Sequence, residues 1–136
     1  MSVRIDHGDW LDLAPSLDHA SIDFLYADPP FNTGKTRRTP PNAARAGRDA
    51  DTHYADRFES SEDYIRFLRE RLASTLPALR PTANIAIHVD WRTSHHVRLL
   101  LDDLLGPDCF VNHLIWTYGL GGSSPRCFAR KHDDII

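Results

Sequence analysis

The chain has 136 residues, 41% of them hydrophobic and 26% charged, and a formal net charge of −3. That is ordinary globular composition with enough apolar residues for a core, and no apolar run reaches the length that crosses a bilayer. Arg4, Asp6, His7 and Asp9 in the first ten residues exclude a signal peptide, and Cys109 and Cys127 form neither a disulfide framework nor a zinc pattern. The expectation is a cytoplasmic protein with two reduced thiols.

In chain order, Ser21–Ala27 is a short apolar run that stops at Asp28-Pro29-Pro30. Prolines cannot donate ladder hydrogen bonds and hold the preceding residue extended, so a buried strand ending at Ala27 or Asp28 is predicted, followed by a stiff open turn. The stretch 32–53 reads as a flexible basic loop, with glycines, prolines and few large apolar residues. Lys35, Arg37, Arg38, Arg45 and Arg48 fall there with no acid among them. Acidic residues concentrate from Asp49 to Asp63 and at Asp102, Asp103 and Asp108. Ser60 or Ser61 caps a helix whose apolar positions Tyr64, Ile65, Leu68, Leu72, Leu76 and Leu79 recur at helical spacing, with Pro81 closing it. Asn84–Val89 is a second strand. Thr93 or Ser94 caps a helix ended by Gly106-Pro107. Phe110–Tyr118 is a third strand, Gly119–Pro125 a glycine-rich loop, and His132–Ile136 the start of a fourth strand. His95 and His96 are adjacent on a helix and cannot face one ion together, so no metal is expected.

Alternating strands and helices predict an α/β fold with a mostly parallel sheet, and such sheets bind ligands at the carboxyl ends of their strands. Asp28-Pro29-Pro30-Phe31 lies at such an end. A carboxylate and the carbonyl of Pro29 can accept the two hydrogens of an exocyclic amine whose lone pair is otherwise delocalised, and Phe31 offers a flat face to an extruded base. What remains for catalysis is positioning and electrostatics. Asp28, Pro29, Pro30 and Phe31 are therefore the candidate catalytic residues.

This run, within Ser21–Gly34, resembles the Asp/Asn/Ser-Pro-Pro-aromatic motif of S-adenosylmethionine-dependent DNA amino-methyltransferases. Gly8-Asp9-Trp10-Leu11 resembles the Gly-Asp-x-Leu turn of the subgroup with circularly permuted motifs. His88-Val89-Asp90 resembles the family's His-x-Asp strand end, Phe110–Trp116 its Phe-x-Asn-Glu-Ile-x-Trp strand with His113 in place of glutamate, and Phe128–Ile136 its Phe-x-x-x-His-Asp-x-Ile segment. The resemblance implies a Rossmann-like three-layer αβα fold and transfer of a methyl group from S-adenosylmethionine to N6 of adenine in double-stranded DNA by base flipping. It places Asp9, Asp28, Asn32 and Asp90 near the donor. Lys35, Arg37, Arg38, Arg45, Arg48, Arg126 and Arg130 are candidate phosphate contacts. A restriction subunit or a second methyltransferase copy fits as a further partner. The family's glycine-rich donor-binding strand-turn-helix and its target-recognition region are absent from the sequence, so residues 1–136 read as the N-terminal catalytic part of an incomplete domain. N4-cytosine methylation, RNA adenine methylation and a truncated, non-catalytic DNA-binding subunit stay open as alternatives.

Overall fold

The computed structural model describes residues 2–38, 53–119 and 126–136. Helix α1 (Trp10–Leu13) leads into strand β1 (Ile22–Ala27), β2 (Lys35–Arg38) and β3 (His53–Asp56). Helix α2 (Ser61–Thr75), β4 (Leu79–Val89), helix α3 (Ser94–Leu105), β5 (Leu114–Thr117) and β6 (His132–Ile135) follow. Among these residues the strands form a four-stranded sheet in the order β1-β4-β6-β5 and a separate β2-β3 pair.

The chemistry of each boundary explains the elements. The Ser60 hydroxyl accepts the Asp63 N–H at 3.0 Å, and Glu62 and Asp63 place negative charge in the first turn of α2. Tyr64, Leu68, Leu72 and Thr75 form its buried face. The helix ends at Thr75, earlier than its apolar periodicity predicts. Pro77 sits in a 3-10 turn, Leu76–Ala78, and Leu79 already belongs to β4. Proline in an α-helix loses a hydrogen bond and clashes with the preceding turn, so Pro77 rather than Pro81 stops it. Pro81 lies inside β4, where the ladder to β1 jumps from Ile22–Leu79 to Phe24–Asn84. A proline is tolerated at such an irregularity.

Leu25 and Ala27 of β1, Ile85, Ile87 and Val89 of β4, and Ile136 join Tyr64, Leu68 and Leu72 of α2 and Val97, Leu100 and Leu101 of α3 in one core. Each fully buried side chain of that size contributes about 1.5–3 kcal/mol relative to exposure. Strand alternation puts Phe24, Tyr26 and His88 on the opposite face, and cross-strand register adds Asp133, Ile135, Leu114 and Trp116 to it. There Phe24 is 58% and Trp116 64% exposed. Among the described residues the two long helices contribute to the core on one face of the sheet.

Three further expectations are corrected. The sheet is not mostly parallel in its pairing: β1–β4 is parallel, whereas β4–β6 and β5–β6 are antiparallel. β6 runs antiparallel to both of its neighbours and lies between β4 and β5. The stretch read as a loop over 32–53 contains strand β2 and reaches β3 at His53, with Lys35 opposite Asp56 and Arg38 opposite His53. Arg45 and Arg48 lie outside the described residues. The third strand is shorter than Phe110–Tyr118, beginning only at Leu114.

Candidate active site

Strand β1 delivers Asp28 to its carboxyl end, where the double proline turns the chain outward. Pro29 is buried, Phe31 half-buried, and the Asp28 carboxylate faces solvent with 61% of its side chain exposed. Beyond Phe31 the backbone bends sharply: Asn32 has φ +55° and Gly34 φ +74°. Asparagine tolerates that left-handed region better than most side chains, and glycine adopts it freely.

Asp56 holds this bend from β3. Its Oδ1 accepts the Asn32 N–H at 2.7 Å, its Oδ2 accepts the Thr33 hydroxyl, and its carbonyl accepts the Gly34 N–H at 2.9 Å. Asn32 Oδ1 in turn accepts the Phe58 N–H at 3.1 Å. Phe58 packs edge-on to Tyr64, ring centroids 5.1 Å apart, which joins the bend to the core. Asp56 is 1% exposed. A buried carboxylate persists only where hydrogen bonds replace its water, and here they fix the segment that carries Phe31.

His88 of β4 stands beside the motif on the open face. Its ring meets Phe31 edge-on with centroids 5.3 Å apart, and its Nδ1 lies 3.1 Å from the Tyr26 hydroxyl and 3.5 Å from Asp28 Oδ1. Its Nε2 lies 3.5 Å from Asp133 Oδ2 of β6, without hydrogen-bond alignment. The Tyr118 phenol is pushed up first by desolvation and then by the Asp133 carboxylate, to which it hydrogen-bonds. Three strands, β1, β4 and β6, thus set Asp28 and Asp133 each 3.5 Å from a ring nitrogen of His88, in the line Asp28–His88–Asp133.

The remaining sequence candidates have partners of their own or lie at the surface. Asp9 caps α1, accepting the Leu11 N–H at 2.9 Å, and both its oxygens face the Arg71 guanidinium at 3.0–3.1 Å. The Leu11 N–H and then Arg71 hold its carboxyl below the usual carboxylate range. Asp90 is 5% exposed; it accepts the Arg92 N–H at 2.8 Å and pairs with the Arg92 guanidinium. Its carbonyl accepts the N–H groups of Thr93 and Ser94, so it organises the entry to α3. Burial pushes the Tyr64 phenol well up, with the Asp90 and Asp56 carboxylates adding to the shift and Thr93 opposing it, so one side chain underlies both acids. Arg130 and Arg92 both stack on Trp91, at 4.0 and 4.6 Å from its ring centroid. Arg126 is exposed. Lys35, Arg37 and Arg38 form β2. His113, in place of the family's glutamate, lies 2.8 Å from Asp134 and supplies a partner to that 3% exposed carboxylate.

A cavity of about 580 Å³ opens at the other end of the sheet, among Leu76, Leu79, Arg98, Leu105, Phe110 and Ile136. Its cations are already engaged, Arg80 with Asp23 and Arg98 with Asp102. Size alone does not make it the reactive site, since the exposed carboxylate, the aromatic ring and the rigid corner converge at the strand end that carries Asp28.

Sequence reasoning missed Asp56, Tyr26 and Asp133, and weighted Asp90 above His88. The one available signal for Asp56 was its position just before an apolar helix, inside an acidic stretch that reads equally well as a solvated face.

An α/β core that presents Asp-Pro-Pro-Phe at the end of its parallel pair defines the class, and comparison with known proteins agrees. The model of the N6/N4 DNA methylase family matches residues 22–136, and the chain belongs to that family. It is 29% identical over 117 residues to the Type II methyltransferase M.KpnI of Klebsiella pneumoniae, covering 85% of this chain and 26% of that protein. It is 26% identical over 121 residues to the Type II methyltransferase M.HpaI of Haemophilus parainfluenzae, covering 89% and 33%. With the EcoP15I Mod subunit, a Type III restriction-modification enzyme of Escherichia coli, it shares 26% identity over 130 residues, 85% of this chain and 20% of that one. The chain therefore spans between 20% and 33% of the length of these relatives. No helix among the described residues is long and apolar enough to cross a membrane.

Proposed function

We propose that this chain carries the catalytic corner of an S-adenosylmethionine-dependent methyltransferase acting on N6 of adenine in double-stranded DNA. The single observation that carries the reading is the exposed Asp28 carboxylate on a double-proline corner, beside Phe31, at the carboxyl end of β1. The target base swings out of the duplex and stacks on Phe31. Asp28 and the Pro29 carbonyl accept its two amino hydrogens, which draws the nitrogen lone pair out of conjugation and aims it. Lys35, Arg37, Arg38, Arg45 and Arg48, with Arg126 and Arg130, hold phosphates around the extruded nucleotide.

The donor is a co-substrate whose site these residues do not complete. Asp9 is engaged by Leu11 and Arg71, Asp90 by Arg92, and Asn32 by Asp56 and Phe58, whereas Asp28 faces outward. The sequence also lacks a glycine-rich cradle for the methionine and ribose. The proposal is that residues 1–136 are the catalytic portion of a Rossmann-like three-layer domain, and that the donor is held chiefly by residues outside them. The relatives named as Mod subunits of Type III enzymes support a restriction subunit as partner.

Asp28→Ala in the protein as its own gene expresses it abolishes methyl transfer while leaving DNA affinity within about threefold; retained turnover overturns the assignment. Mass spectrometry of nucleosides from treated DNA and RNA separates the bases. N6-methyladenine in DNA is expected. N4-methylcytosine, or methylation confined to RNA, points to the sister activities. Persistent DNA binding with no transfer by the wild type identifies a binding subunit.

A further inference from the structure

The line Asp28–His88–Asp133 has a chemical direction, and it rests on the reading of Asp28 just given. When the amine nitrogen bonds to the methyl carbon, the carbon–sulfur bond breaks and the sulfonium becomes a thioether. The nitrogen is left with a positive charge and one proton too many. Asp28, already an acceptor of an amino hydrogen, takes that proton. It passes that proton on within the transfer step itself, so the relay enters the methylation rate.

We propose that His88 relays this proton from Asp28 to Asp133. The path has three short links: Asp28 Oδ1 to His88 Nδ1 at 3.5 Å, the imidazole itself, and Nε2 to Asp133 Oδ2 at 3.5 Å. In the neutral ring with its hydrogen on Nε2, Nδ1 is an acceptor and Nε2–H faces a carboxylate. Proton uptake at Nδ1 and release from Nε2 to Asp133 return the ring to the opposite neutral tautomer, with no net charge left on it. Rotation or exchange with water restores the first. Asp133 is 22% exposed at its side chain, so the proton passes from there to solvent.

The surroundings suit this direction. Nε2 is buried and lacks a hydrogen bond, which is costly for an imidazole placed only for packing. The groups facing the ring are Tyr26 from β1, Asp28 and Phe31 beyond it, and Asp133 from β6. Tyr118 stands behind Asp133, and its phenol also feels Asp90 and Arg92. Tyr26 competes with Asp28 for Nδ1, and its hydroxyl, on a half-exposed side chain, turns to water when Asp28 is protonated. Its contacts are Tyr26, Asp28, Phe31 and Asp133, so His88 is a positioning and relay residue that acts through Asp28.

The test uses the active enzyme and reads the single-turnover methylation rate, which product release does not mask. His88→Asn and Asp133→Asn each slow that rate by about tenfold or more, within the range of general acid–base effects. DNA affinity and fluorescence of 2-aminopurine at the target position stay at wild-type levels. The double variant is no slower than the slower single one, since both break one path. Rates within twofold of wild type in both variants overturn the inference, as do additive losses or a collapse of the 2-aminopurine signal, which would mark a structural role. If Asp28→Ala is inactive while His88→Asn is normal, only the relay fails; if Asp28→Ala is active, the reading of the corner fails first.

Discussion

Replacing Asp56 with alanine leaves the Asn32 N–H and the Thr33 hydroxyl facing a buried gap. Orphaned donors of this kind cost about 1–3 kcal/mol each at most, and a charged acceptor contributes at the upper end. Asp56→Ala is expected to lower stability by about 2 kcal/mol and methyl transfer by more than tenfold, because the bend that aims Phe31 relaxes. Thermal melting and single-turnover rates check both numbers. A melting shift with full activity would mean that Phe31 is positioned by its own packing against His88. His113 is a second case: His113→Ala strips the 3% exposed Asp134 carboxylate of a partner at 2.8 Å and is expected to cost stability without touching the Asp28 corner.

At the scale of elements, α1 is held to α2 by two contacts, Asp9 with Arg71 and the Trp10 indole N–H donating to Thr75 Oγ1 at 2.7 Å. The Asp9 carboxyl is held below its ordinary value of 3.8 in the folded chain. A folded-state value below the unfolded one contributes stability above the unfolded value and loses it as pH falls through the folded value. Relative to wild type, Asp9→Asn is therefore less stable near neutrality, and the gap closes on acidification below about pH 4. Melting curves across a pH series decide it, and a gap constant down to low pH would contradict it. Elements with strong periodicity were legible in the sequence. The apolar run before Asp28 is β1, and Tyr64, Leu68 and Leu72 define α2 with Ser60 as its cap. β2 and β3 were not, because Lys-Thr-Arg-Arg and His-Tyr-Ala-Asp show no apolar alternation. Nor was the reversal of β6, since a short apolar run does not encode its direction. Within the site, the double-proline corner at the end of β1 was readable because proline chemistry is local. The partners of His88 lie on β1 and β6, brought together by register alone, so linear spacing carried no trace of them.

For the molecule as a whole, Phe24, Tyr26, Leu114 and Trp116 leave an apolar face of the sheet in solvent. Contiguous exposed apolar surface favours association. Residues 1–136 expressed alone are expected to self-associate with rising concentration in sedimentation experiments, and Phe24→Ser with Trp116→Ser is expected to reduce this without unfolding, since neither side chain belongs to the core. If the donor is held chiefly by residues outside 1–136, as proposed, the same piece binds S-adenosylmethionine far more weakly than micromolar by calorimetric titration. The most direct test of the central claim is a crystal structure of the active enzyme with target DNA and a non-reactive donor analogue. The account predicts an extruded adenine stacked on Phe31, its amino nitrogen about 2.7–3.2 Å from both the Asp28 carboxylate and the Pro29 carbonyl. An adenine still stacked in the duplex, or an extruded base whose amine lies against other groups, would contradict it.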